Sequence, residues 1–339
     1  MTTDEAVMEY CAVVTRRAPS ALLRSDQQPI YGYFDGAVPS LAAVAASKNS
    51  ALPTPLSTLS RPQHRQLEMV MLQHADYQLL LRQSSQTLAS QVLVFDLVRQ
   101  QARRIMPNPL ALRAHQLSPS GYHGESQCGV MNFVKSQGDW HIMLNMQRQK
   151  LQLTGQVALQ PLPLSLPVVS CGAVSAGWSY QQQHHGLMTS GDLQLNHEAQ
   201  ILSRMSAGYS FFATAQRDRT PWQWLMLNST QQQQRIGLTL VDGLAAAFPG
   251  NALWIDGARH ILPYCQMVPS SHIAGEWQII SATEQVRGRF SPKIEISVQR
   301  PVGKQRTKVM SGLLDIDIYV NSTLQLNLRG ISAIGGVEC

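Results

Sequence analysis

Charge is scarce in this sequence. Asp, Glu, Lys and Arg make up 14% of its 339 residues, against about a quarter in ordinary soluble domains. Aromatic residues are few as well, at 6%. Five cysteines stand far apart, at Cys11, Cys128, Cys171, Cys265 and Cys339, with no C-x-x-C pair. Their spacing and odd number speak against a zinc site and against a disulfide framework. Free thiols in a reducing compartment fit better, so a cytoplasmic location is expected. No apolar run approaches the ~18 residues of a membrane-spanning helix. The stretch MTTDEAVMEYCAVVTRR begins acidic and lacks the apolar centre of a secretory signal. Also missing are a Gly-rich phosphate loop, a G-x-S-x-G elbow and an H-E-x-x-H pair. Nucleotide hydrolysis, α/β-hydrolase chemistry and zinc proteolysis are therefore disfavoured. No metal site is expected and no cofactor is implied.

What is present is an ample supply of core residues, 44% hydrophobic, with Gln, Ser, Thr and Asn supplying the polarity. The formal charge is +6, but the basic residues are scattered. The one dense run is VGKQRTK, with Lys304, Arg306 and Lys308. It reads as a solvated hairpin tip, with peripheral contact to an anionic membrane as the other reading. Nucleic-acid binding is not expected.

Helical spacing is confined to the first residues. Thr2 and Glu5 can form a capping box, and Val7, Tyr10, Cys11 and Val14 follow with a helical period. From residue 66 onward the sequence reads as strands. KIEISVQR alternates Ile294, Ile296 and Val298 with polar neighbours, and LLDIDIYVNSTLQLNLRG keeps period two throughout. KLQLTGQVALQ reads as two runs with Thr154-Gly155 as a turn. Asn196 and the pair Asp256-Gly257 mark hairpins, the latter with the strongest short-range signal in the chain. QPLPLSLPVV, residues 160–169, holds three prolines and cannot be a central strand. It is taken as the link between an N-terminal β domain, 1–165, and a C-terminal one, 166–339.

Candidate site residues are aromatic pairs and sparse acids. In RTPWQWLMLN, Trp222 and Trp224 share a strand face, with Arg219 just before Pro221. Either both rings fill a core, or they line a ligand cavity with Arg219 at its rim. Trp178 and Tyr180 likewise share a face in GWSYQQQHHG, while His184 and His185 point oppositely and cannot both bind one metal without a turn. Asp315 and Asp317 share a face around Ile316; they suit acid–base work if buried, and are a solvated face if not. Asp76 and Asp96 also stand beside apolar strand residues, where Asp is depleted.

The ordered pieces PIYGYFDG, ADYQ, VLVFDL, GWSYQQQ, GLMTSGDLQL, RTPWQWLMLN, IGLTLVDG and NALWIDGARHIL resemble the bacterial domain-of-unknown-function 2804 family. The resemblance runs from about residue 20 to the end. Its most specific parts are Arg219, Thr220, Trp222 and Trp224, then Gly237, Asn251, Trp254, Asp256 and Gly257. That family looks related to a lipocalin-like superfamily containing hydroxyneurosporene synthase, a carotenoid hydratase, and tocopherol cyclase. The resemblance implies an all-β fold: two consecutive lipocalin-like antiparallel β-barrels or sandwiches after the short N-terminal helix. It also implies a cavity for a lipid-like or isoprenoid-like molecule, lined by Trp222, Trp224, Arg219, Trp178, Tyr180 and Trp254. Relatives with known chemistry protonate an alkene and then add water or close a ring. The resemblance also implies that the strand before the Trp pair often carries an Asp; here that strand, AGYSFFATAQ, has no acid before Asp218. Asp218, Asp315 or Asp317 would have to supply the proton. The expectation is therefore a binder of a hydrophobic small molecule. A hydratase or cyclase acting on an unsaturated lipid is the alternative, and a carbohydrate-binding sandwich the third reading. The residues leave open whether a reaction is catalysed.

Overall fold

The computed structural model describes residues 13–26, 28–41, 63–84, 91–105, 125–128, 131–136, 138–148, 151–175, 177–216, 220–299, 306–320 and 323–338. The expected N-terminal helix falls mostly outside them. Among the described residues there is no α-helix, and the one helical element with assigned bounds is a 3-10 turn, Leu202–Arg204. No helix among them is long and apolar enough to cross a membrane.

The strands form two sheets. The first begins with β1 (Thr15–Arg16), β2 (Gly32–Phe34), β3 (Gln63–Gln73), β4 (Tyr77–Ser84), β5 (Gln91–Asp96), β6 (Gln101–Ile105) and β7 (Glu125–Cys128). It continues with β8 (Met131–Ser136), β9 (Asp139–Arg148), β10 (Leu151–Gln160), β11 (Val168–Val174), β12 (Gly177–Leu195), β13 (Glu198–Ala199) and β14 (Ser206–Gln216). The second comprises β15 (Trp222–Gln231), β16 (Gln234–Asp242), β17 (Ala252–Ile255), β18 (Ala258–Ile261) and β19 (Cys265–Pro269). Its remaining strands are β20 (Trp277–Ser281), β21 (Val286–Gln299), β22 (Arg306–Val320) and β23 (Thr323–Glu338).

The main path of the first sheet is β6-β5-β4-β3-β14-β12-β10-β9-β8-β7. The long β12 organises it. One edge pairs with β14 from Gly177 to Leu187; the other takes β11 along its first half and β10 along its second. A bulge at Gly186 separates these halves. The second sheet runs β18-β17-β16-β15-β23-β22-β21-β20-β19. It curls, because Met267 N at β19 donates to Asp242 Oδ2 at the end of β16, 2.8 Å.

The all-β class is as expected, but closed barrels are not what the chain forms. β18 and β19 end the second path without pairing to each other. A side chain, Asp242, bridges the gap instead of a backbone ladder. Thr154-Gly155 is also no turn: both residues lie inside β10, where Gly155 (φ 140°) faces the backbone of Asp192 and Leu193 too closely for a Cβ. The Asp256-Gly257 turn is as expected, with φ of 48° and 84°. Prolines 161–167 leave the chain without a strand between β10 and β11, both in the first sheet.

Alternation sorts the side chains into three layers. Within the first sheet, Val70, Leu72, Leu79, Leu81, Trp140 and Phe211 belong to one core. Leu225, Leu227, Leu238, Trp277, Phe290 and Ile316 fill the inside of the curled second sheet. Between the sheets lie the opposite faces of the same strands: Met69, Met71, Leu80 and Phe212 against Trp224, Met226, Val309 and Ile334. Burial of this seam, at about 25 cal/mol per Å² of apolar surface, holds the sheets together.

Candidate functional site

β3 and β14 lie side by side, with Val70 opposite Tyr209. Their inward face carries Glu68 and Tyr209, 1% and 3% exposed, with buried Gln66 on the same strand as Glu68 and buried Gln83 directly opposite it on β4. The Tyr209 hydroxyl donates to Glu68 Oε1 at 2.8 Å. The Tyr209 ring stacks on Trp140 of β9, with centroids 4.0 Å apart and planes 25° apart. Lys135 Nζ sits 5.2 Å from the Trp140 centroid, a cation–π contact. Burial lowers the Lys135 ammonium to about 8, against the pull of Glu68. Burial raises the Tyr209 phenol well above its usual value, and the charge of Glu68 adds to that. A carboxyl, a phenol and an amine that titrates near neutrality thus meet at an aromatic face. Such a set can give and take protons in an apolar surrounding.

His184 shares this face. Its Nε2 is 2.9 Å from Ser165 Oγ. Burial holds its pKa near 3, assisted by Lys135, His185 and Arg259. Tyr180 is fully buried; its hydroxyl accepts from Val38 N at 3.2 Å and donates to Gln182 Oε1 at 3.4 Å. Trp178 is buried in the same core. These two aromatics therefore do share a face, and it is the inner face of the first sheet.

His185 points the other way, into the seam. Gly186 N donates to Asn228 Oδ1 at 2.9 Å. That oxygen also accepts from His185 Nδ1–H, 3.3 Å. Nε2 is then the acceptor facing the Ser210 hydroxyl at 3.1 Å. Ser210 and Thr239 both reach Gln183 Oε1, at 2.6 and 3.1 Å, while Gln183 Nε2 has no partner. Turning the Gln183 amide over lets its nitrogen donate to both hydroxyls and frees the Ser210 hydrogen for His185. The order Ser–His–Asn is that of a nucleophile relay; here the three residues span the two sheets, each at most 1% exposed. Ser210 and His185 belong to the first sheet, Asn228 and Thr239 to the second. The network ties the sheets together. Trp254 closes it, 5.6 Å from the His185 ring, donating through Nε1 to Leu166 O at 2.9 Å.

Trp222 and Trp224 also lie in the seam, on the outer rather than the inner face of the curled sheet. Trp224 is fully buried and donates to Glu338 Oε1 at 3.3 Å. Its burial does not suit an open sugar-stacking platform. Trp222 is half-buried against Phe212, centroids 4.7 Å apart. Asp315 and Asp317 share the outer face of β22, in a groove of about 590 Å³. Asp315 Oδ2 accepts from Arg289 Nε at 2.8 Å, and Asp317 accepts from Arg329 Nη2 with both oxygens at 2.8 Å. Burial, the largest single influence, raises the Asp315 pKa, but the Gly330 N–H, Arg289 and Arg329 together outweigh it and the net direction is down. These partners favour the carboxylate over the acid. Asp218 and Arg219 lie outside the described residues, as does Lys304. Lys308 pairs with Glu295 at 3.0 Å. Asp76 is exposed beside His74, and Asp96 accepts from Arg99 N at 2.8 Å.

Glu68, Arg82, Tyr209 and Glu338 were not singled out by sequence reasoning. The signal was there for two of them: Glu68 in LEMVML and Arg82 in LLLRQ are lone charges in apolar strands, where strand propensity disfavours them.

A search of curated proteins finds no match. Among solved structures, a provisionally assigned AttH protein from Nitrosomonas europaea is similar at 11% identity and a TM-score of 0.46, covering 85% of this chain and 97% of its own. CghA bound to Sch210972 is similar at 8% identity and 0.47, covering 82% and 88%. Kievitone hydratase from Nectria haematococca is similar at 10% identity and 0.47, covering 80% and 87%. Likenesses this distant fix neither ligand nor reaction for this chain. The family model for DUF2804, a domain of unknown function, matches residues 87–309. With that share of its length matched, the chain belongs to the DUF2804 family.

Proposed function

We propose that this protein is an acid–base enzyme of the hydratase or cyclase type, acting on an unsaturated hydrophobic small molecule at the inner face of the first sheet. The observation that carries the reading is the Glu68–Tyr209 hydrogen bond set against Trp140 and near Lys135 in the buried interior of the first sheet. In this reading the carboxyl group of Glu68, held in place by the Tyr209 hydroxyl, is the proton donor. Protonation of a carbon–carbon double bond leaves a carbocation, which the Trp140 and Tyr209 π-faces stabilise. Water, or a nucleophile within the same molecule, then forms the new bond and returns a proton to Glu68. A carrier would hold the same molecule unchanged.

The test starts from the compound that co-purifies with the protein, recovered by organic extraction and identified by mass. Wild-type protein should convert it. Glu68→Gln should lower the rate by roughly 10²–10⁴-fold, the usual range for a general acid. Binding without turnover in the wild type would make the protein a carrier and sink the catalytic reading.

A further inference from the structure

A second polar feature lies on the opposite face of β3, at the end of the seam. Arg82 of β4 reaches across to the second sheet, where Nη2 donates to Glu338 Oε2 at 2.6 Å. Both side chains are about 95% buried or more, at 3% and 5% exposure. Glu338 is well supplied: Oε1 accepts from Trp224 Nε1 and Oε2 from Thr307 Oγ1. Arg82 is not. Its Nε and Nη1 have no hydrogen-bond partner. A guanidinium carries five N–H donors, and leaving buried donors unmade is costly. Arg82 also lines a cavity of about 40 Å³, together with Ser84, Phe212, Thr214, Trp222 and Glu338. Its mouth is at Thr220 and Trp222, which are exposed and half-buried.

The unspent groups on Arg82 are donors only, so the buried end of a ligand there must be an acceptor. Arg65 lines the same cavity. The space takes a headgroup, while Leu67, Phe212 and Trp222 offer an apolar wall towards the mouth. We propose that this cavity is a carboxylate subsite, holding the acid group of a small monocarboxylate with an apolar tail. It is separate from the Glu68 cluster: Leu67 and Phe212 of its lining pack in the seam, whereas Glu68 meets Tyr209 and Trp140 on the inner face.

The probe is octanoate, with octanol as the uncharged control, read by tryptophan fluorescence and thermal shift. Octanoate should change Trp fluorescence saturably and raise Tm; octanol should do neither. The double variant Arg82→Met with Glu338→Gln removes both charges together and should weaken octanoate by roughly tenfold or more. Glu68→Gln should bind octanoate as wild type does, even if it abolishes turnover, so the two proposals fail separately. Wild-type protein that ignores octanoate at millimolar concentration, or responds equally to octanol, overturns the subsite without need of any variant. Unchanged affinity in a folded double variant overturns it too.

Discussion

A lone charge inside an apolar strand is the most informative single residue in this chain. Glu68 and Arg82 are both such charges, and both are buried at functional-looking positions. The signal was legible, since LEMVML and LLLRQ stand out in a sequence with 14% charged residues. What no sequence could state is the partner. Glu338 lies 256 residues from Arg82, in another sheet. The pairing makes a prediction at this scale. Glu338→Gln leaves a buried guanidinium without its counter-charge, which should cost about 3–5 kcal/mol. The double variant Arg82→Met with Glu338→Gln should recover most of that loss. Urea unfolding of the three proteins measures both values; a double variant no more stable than Glu338→Gln would show that the stranded guanidinium is not the source of the loss.

At the scale of elements, period-two alternation was readable and faces came out correctly. Trp178 with Tyr180, and Trp222 with Trp224, do share faces. Which face was not readable, because both faces of the central strands are buried. Alternation cannot name the inside when an inner core and an inter-sheet seam are equally apolar. Glycines inside strands misled for a related reason. Gly155 read as a turn residue, but it is there to let β10 approach β12. Gly208 does the same for the histidine network: a Cβ there would run into the His185 ring and Asn228. Gly208→Ala should therefore destabilise by about 1–3 kcal/mol, the cost of overpacking. Gly36→Ala, where a Cβ meets nothing within 4 Å, should be near neutral. A chemical-denaturation comparison of the two variants decides it, and equal effects would contradict the packing described.

The whole molecule is two sheets joined by a seam that is apolar with a polar centre. Its pH response follows from two histidines. Burial holds both His184 and His185 near 3, below the 6.5 of a free imidazole. Above pH 6.5 both are neutral in the folded and unfolded chain. Below it, the unfolded chain takes up protons that the folded chain refuses, so stability falls as pH falls, down to about pH 3. The slope is about 1.4 kcal/mol per pH unit for each histidine. Between pH 6.5 and 5 the loss should be roughly 3 kcal/mol, since each unfolded imidazole is half protonated at pH 6.5, and His185→Gln should halve it. Unfolding free energies across that window check it; a flat profile would mean that the imidazoles are hydrated.

The central claim is that Glu68, held by Tyr209 against Trp140, transfers a proton to carbon. The most direct measurement is to incubate the protein with its own extracted compound in deuterated water and locate the label by mass spectrometry. The account predicts one deuterium on carbon in the product with wild-type protein, and none with Glu68→Gln. Carbon-bound deuterium appearing equally with Glu68→Gln, or in neither protein while the compound stays bound, would contradict it.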